Sequence, residues 1–254
     1  MKMDATFFLF LIAGFIAQMI DGSIGMAYGV SSTSLLLSFG VPPAAASASV
    51  HTAESFTTLV SGISHFRFKN VDKKLFVSLV IPGVIGGILG AYILSNIDTT
   101  IIKPAINIYL IVMGIRIIVK AFGKTNEKAA KKLENVRLYI LGILGGFLDA
   151  IGGGGWGPVV TTTLVADGNT PRYVIGSVNA SEFFVTVAQA VTFVTVIGLG
   201  EYWQIVLGLA AGGVLAAPFA AYLVKRVSPK VIMILVGAVV AVLNIRNIIL
   251  MFAG

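Results

Sequence analysis

The sequence predicts an all-α integral membrane protein made of two homologous halves, an inverted repeat in which each half is a glycine-broken helix or re-entrant hairpin followed by three transmembrane helices. Three observations predict it. The first is composition: 57% of the 254 residues are hydrophobic and 11% are charged, against about 25% charged in an ordinary soluble domain. So little polar surface cannot coat a globule of this size. The second is a ladder of apolar stretches that fills the chain and leaves no mass for a soluble domain. The third is an internal match between the halves.

Taken in order, the apolar stretches are 6–20, 26–39, 44–64, 75–95, 101–122, 138–151, 156–166, 174–199, 202–224 and 231–252. A spanning helix needs about 20 apolar residues, and six of the stretches reach that length. The other four form two short pairs, each parted by a glycine-rich break: Asp21-Gly22-Ser23-Ile24-Gly25 and Asp149-Ala150-Ile151-Gly152-Gly153-Gly154-Gly155. At an offset of 128, residues 21–61 align with 149–189 without a gap, and 12 of the 41 positions are identical. Chance would supply about three. The identities include Asp21 with Asp149, Gly25 with Gly153, Thr33 with Thr161, Pro43 with Pro171, Ser49 with Ser177 and Glu54 with Glu182, and Tyr28 falls on Trp156. The domains predicted are 1–122 and 138–254, joined by a basic cytoplasmic linker at 123–137.

Charge sets the orientation. The net charge is +7, from 18 Lys plus Arg against 11 Asp plus Glu, and in a membrane chain this reports basic cytoplasmic loops rather than nucleic-acid binding. If each broken pair returns to its own side, the loops at 67–74, 120–137 and 225–230 all face the cytoplasm and collect 13 of the 18 basic residues. Eight straight crossings would put the last of these loops outside. The predicted location is the cell membrane, with many passes. The absence of cysteine removes disulfides and thiolate chemistry, and no cofactor is called for. No compact nucleophile or His-Glu-x-x-His pattern marks an enzyme. A thin bundle of this size also suits homo-oligomer assembly, although no stretch marks an interface.

Broken helices at matching places in two inverted halves point to a transport site near the bilayer centre. The helix restarting after each break offers free N–H groups that attract an anion, so Gly25, Gly153 and Gly154 are placed at the substrate. Ser23, Tyr28, Ser49 and Ser177 are candidate hydroxyl contacts, Gln18 and Asn179 candidate amides, and Trp156 a candidate wall. Ionisable residues inside spans are costly and therefore functional candidates. Here they are His51 and Glu54, three apart on one helix face, with Glu182, Asp21 and Asp149; together they are read as the proton-coupling set. The plainer reading of the two aspartates is that each caps a restarting helix. Arg116 and Arg246, near span ends, are expected to snorkel, and Arg172 to stand at an entrance. Simple packing is an equal reading for Tyr28 and Trp156.

The two breaks, with Trp156-Gly157 and the run Gly86-Gly87-Ile88-Leu89-Gly90-Ala91, resemble the sulfite exporter TauE/SafE family of membrane permeases along essentially the whole chain. The resemblance implies an eight-segment protein that moves sulfite, organosulfonates or related small anions, some members acting in export. The function expected is a secondary transporter for a small sulfur-containing anion, coupled to protons, with the lipid bilayer as its other partner. Because four carboxylates and no Arg or Lys fall at the expected centre, a divalent-cation carrier is the alternative.

Overall fold

The computed structural model describes residues 5–24, 26–122, 135–223 and 229–253. Helix α1 (Ala5–Ile24) is followed by the short α2 (Tyr28–Ser38) and by three long helices, α3 (Pro43–Arg67), α4 (Lys73–Asn96) and α5 (Thr99–Phe122). The second half repeats the order. It comprises α6 (Asn135–Gly152), a π-helical turn (Gly157–Thr161) running into α7 (Thr162–Ala166), then α8 (Pro171–Ile197), a 3-10 turn (Gly200–Tyr202), α9 (Trp203–Leu223) and α10 (Pro229–Ala253). Among the described residues there is no strand.

Local chemistry explains the ends. Pro43 and Pro171 open α3 and α8, where a fixed φ suits the first turn and a missing N–H costs nothing. Asp72 caps α4 by accepting the Leu75 N–H at 3.0 Å. Helix α6 begins at Asn135, inside the stretch expected to be linker, and Arg137 in its first turn pairs with Asp167 at 2.8 Å.

Packing fixes the direction in which each helix runs. Phe10 and Phe39 meet with ring centroids 6.0 Å apart, while Tyr28 N–H reaches Asp21, so α1 and α2 lie antiparallel as a hairpin. Arg137 with Asp167 at one end and Asp149 with Trp156 at the other make α6 and α7 a second hairpin. Helices α3 and α8 are antiparallel: Thr58 meets Thr186 at 3.4 Å and His65 meets Asn179 at 3.4 Å. Thr58 and Thr186 are themselves 128 positions apart, so matching residues of the two halves touch. By contrast α1 runs parallel to α9, with Gly208 beside Phe7 and Gly212 beside Leu11, and α4 runs parallel to α6, with Gly86 beside Ile143 and Gly90 beside Phe147. The main contacts pair α1 with α9, α4 with α6, α3 with α8 and α5 with α10. Exchanging each helix for its sequence counterpart leaves this set unchanged.

Small residues allow these approaches. A Cβ on Gly90 would stand 2.6 Å from the Phe147 carbonyl, and one on Gly114 2.7 Å from the Gly237 carbonyl. The polarity is reversed relative to a soluble protein. Ile81, Val119 and Leu235 are 61%, 63% and 62% exposed, whereas His51, Asp149, Ser177 and Gln189 are buried. Five described helices are long and apolar enough to cross a membrane, namely α4, α5, α6, α8 and α10 from Lys230 onward. The chain is a multi-pass membrane protein. Helix α3 is as long, with 25 residues, but its Ser and Thr side chains lower its apolarity and it packs between α8 and α9 instead.

Candidate functional site

The tip of the second hairpin carries the centre. Gly153 (φ 65°) and Gly154 (φ 149°) occupy the left-handed region, which a side chain disfavours. Gly154 also lies against the first turn of α2: a Cβ on Gly29 would stand 2.6 Å from its Cα. The Thr33 hydroxyl donates to the Gly153 carbonyl, and the Tyr109 hydroxyl to the Gly154 carbonyl at 3.2 Å. The hairpin tip is therefore held by α2 and α5.

Asp149 organises the interior of that turn. One carboxylate oxygen accepts the Trp156 backbone N–H at 2.8 Å and the other accepts the Gln189 amide at 2.9 Å. In the first half Asp21 accepts the Tyr28 backbone N–H at 3.4 Å. Each aspartate thus ties the start of the returning segment, seven residues on, as a capping carboxylate does.

His51, fully buried on α3, reaches this turn. Its Nε2 lies 3.1 Å from the Asp149 carbonyl, and its Nδ1 lies 3.2 Å from Glu54 Oε2 and 3.9 Å from Asp149 Oδ2. A carbonyl only accepts, so Nε2 carries a proton. Nδ1 and Glu54 Oε2 then meet through a proton carried by one of the two. Phe193 lies nearly parallel to the imidazole, with ring centroids 6.4 Å apart. Glu182, the counterpart of Glu54, is half-buried and makes no hydrogen bond among the described residues; it interacts electrostatically with Glu54, Asp21 and Asp149. His51, Glu54 and Asp149 are in direct contact range. No three His, Asp or Glu side chains among the described residues converge as metal ligands.

The sequence profile described as "Sulfite exporter TauE/SafE" matches residues 10–247. The chain belongs to the TauE/SafE family. A relative, the "Probable membrane transporter protein YtnM" of Bacillus subtilis (strain 168), is 45% identical over 246 residues, covering 95% of this chain and 82% of the relative. No solved structure matches the chain. As a TauE/SafE protein it is a membrane transporter and not an enzyme.

Around the cluster, the other candidate residues of this TauE/SafE chain take varied places. Tyr28 and Trp156 are both buried with their polar tips engaged, the Tyr28 hydroxyl on the Leu209 carbonyl at 3.1 Å and the Trp156 ring N–H on the Val178 carbonyl at 3.2 Å. Gln18 Oε1 and Ser49 Oγ are buried without a hydrogen-bond partner among the described residues. Ser177 and Asn179 lie away from the breaks: Ser177 accepts the Asp72 N–H at 2.9 Å and Asn179 faces His65. Both serve the α3–α4 corner because α8 enters beside it. Gly25 and the Ser23 side chain lie outside the described residues. Arg172 binds Asn70 at 2.6 Å and the Phe68 carbonyl at 3.1 Å, so its guanidinium staples a loop. Arg116 departs from the expected snorkelling, since its Nε and Nη2 each donate at 3.0 Å, to the Thr162 and Thr163 hydroxyls. A buried stripe on α5, Ile106, Leu110, Met113 and Ile117, runs on at helical spacing to Lys120 and turns this end inward. Nearness to the span end hid that register. Gln189 and Phe193, which complete the His51 setting, come from α8 positions two to three turns beyond Glu182. A cavity of about 300 Å³ between the α1–α2 hairpin and α10 has an almost wholly apolar lining, including Ala17, Leu35 and Val236, and offers an anion little.

Proposed function

We propose that this TauE/SafE protein is a secondary transporter for a small sulfur-containing anion, sulfite or an organosulfonate, whose cycle is coupled to protons. The observation that carries the reading is the His51 bridge. One ring nitrogen is tied to the backbone of a glycine-broken hairpin and the other shares a proton with Glu54, so a protonation change on α3 is felt directly at the hairpin tip. Histidine gains and loses charge near neutral pH. Asp149, Glu182 and Asp21, with the Gln189 amide, are the groups that face this pair.

The topology of the reading is an inverted repeat of units 1–122 and 138–254. The antiparallel α3 and α8, the parallel α1 with α9 and α4 with α6, and the two returning hairpins support it. Following those directions, the helix ends that flank 68–72, 123–134 and 224–228 fall on one face, and they belong to the basic stretches 67–74, 120–137 and 225–230. The positive-inside rule makes that face cytoplasmic. A divalent-cation carrier using the four carboxylates is the alternative reading.

Uptake into proteoliposomes with sulfite, organosulfonates and divalent cations, with and without an imposed pH gradient, tests the reading. Anion uptake stimulated by the gradient is expected. Cation flux without anion flux would overturn it.

A further inference from the structure

The acidic centre leaves an anion without a cation to meet, yet α5 turns two cations inward. Arg116 and Lys120 are one turn apart on the same face of α5, both half-buried. Arg116 lies against the first residues of α7 through Thr162 and Thr163. Lys120 Nζ points at the Met26 sulfur at 3.5 Å, beside the break of the first hairpin. Among the described residues neither has an acidic partner within 4 Å. The threonine hydroxyls take two of the guanidinium donors, and a thioether is only a weak acceptor for the ammonium. Several strong donors therefore remain unused. Seven residues back on the same helix, Tyr109 touches the tip of the second hairpin, so one helix, α5, connects the Lys120 end with that tip.

We propose that Arg116 and Lys120 form the receiving site for the transported oxyanion, between α5, α7 and the Met26 break. A guanidinium fork matches two oxygens of a sulfonate and an ammonium the third. The threonines orient the fork, and the anion reaches the hairpin tips from this station. The inference rests on the anion reading above.

Methanesulfonate uptake into proteoliposomes tests it, with Arg116→Gln, Lys120→Gln, Arg116→Lys and Lys120→Arg. Each glutamine variant is expected to raise the half-saturating concentration at least tenfold with a much smaller change in maximal rate, while the charge-keeping variants stay within about threefold of wild type. A purely structural clamp would give a different pattern. Arg116→Lys, which cannot span both threonines, would then fail as badly as Arg116→Gln, with the loss in maximal rate and yield, and that result overturns the proposal. Because the chain has no cysteine, Lys120→Cys gives a second measure that does not depend on comparing folds. Modification with a cationic methanethiosulfonate should restore affinity and an anionic one should not; equal effects overturn the site. Unchanged half-saturation in all variants of a protein that does carry methanesulfonate rejects the receiving site and leaves the anion reading standing. Absence of any sulfite or sulfonate transport by the wild type rejects both.

Discussion

At the residue scale, the two aspartates separate a local structural role from a wider one. Asp149 accepts two hydrogen bonds at 2.8 and 2.9 Å, whereas Asp21 accepts one among the described residues, at 3.4 Å. An asparagine supplies one acceptor oxygen and sets an N–H against a donor, at a cost of about 1–3 kcal/mol for each buried group left unsatisfied. Asp149→Asn is therefore expected to lower the melting temperature by several degrees in detergent and Asp21→Asn by clearly less; the reverse order in a thermal unfolding assay would remove Asp149 from its organising role. His51 and Glu54 make the chemical counterpart. Glu54→Gln keeps the size of the side chain but cannot exchange a proton with Nδ1, so stimulation of anion uptake by a pH gradient should fall at least tenfold while anion exchange without a gradient persists. Gradient dependence retained in full would exclude Glu54 from the relay. The pairing of these two residues was legible from their spacing of three. Their link to Asp149 was not, because it joins residues 98 apart through a backbone carbonyl, and no side-chain pattern encodes that contact.

Elements come together here by close backbone approach, which shows where sequence is and is not informative. The glycine runs mark the second break and the packing seam of α4, yet the equivalent break in the first half places Ala27 at φ 108°, a conformation that costs an alanine roughly 1–2 kcal/mol. Gly155 stands at the matching position but without a positive φ, the left-handed residues of the second break being Gly153 and Gly154. Ala27→Gly is expected to raise the melting temperature, by an amount corresponding to about 1 kcal/mol, and no gain in thermal stability would mean that the surrounding helices impose no strain there. Gly29→Ala runs the other way. Its Cβ would press on Gly154 where α2 crosses the opposite hairpin, and overpacking of this kind costs about 1–3 kcal/mol. The crossing of one hairpin tip by the other half was hidden in the sequence, since a glycine that admits a neighbour looks the same as a glycine that turns.

For the whole molecule, the arrangement of charge and the directions of the helices make a single argument. Duplication was legible because the identities at an offset of 128 fall on prolines, glycines and acids; the directions needed contacts, above all the meeting of Thr58 with Thr186. If matching residues of two antiparallel helices meet midway, the axis relating the halves crosses those helices, and for spanning helices it lies in the membrane plane. Loop positions on opposite faces must then differ in access. In a chain without native cysteine, Lys69→Cys, Lys230→Cys and Asp98→Cys place single labels at the α3–α4 corner, the start of α10 and the α4–α5 corner. An impermeant maleimide applied outside intact cells is expected to label position 98 and to reach 69 and 230 only after the membrane is opened. Eight straight crossings would instead leave 69 and 230 on opposite faces, because the first hairpin would no longer return and the two halves would be parallel. Labelling of 230 from outside, with 69 still protected, would therefore exclude the inverted arrangement and with it the route by which an anion from the basic face reaches both hairpin tips.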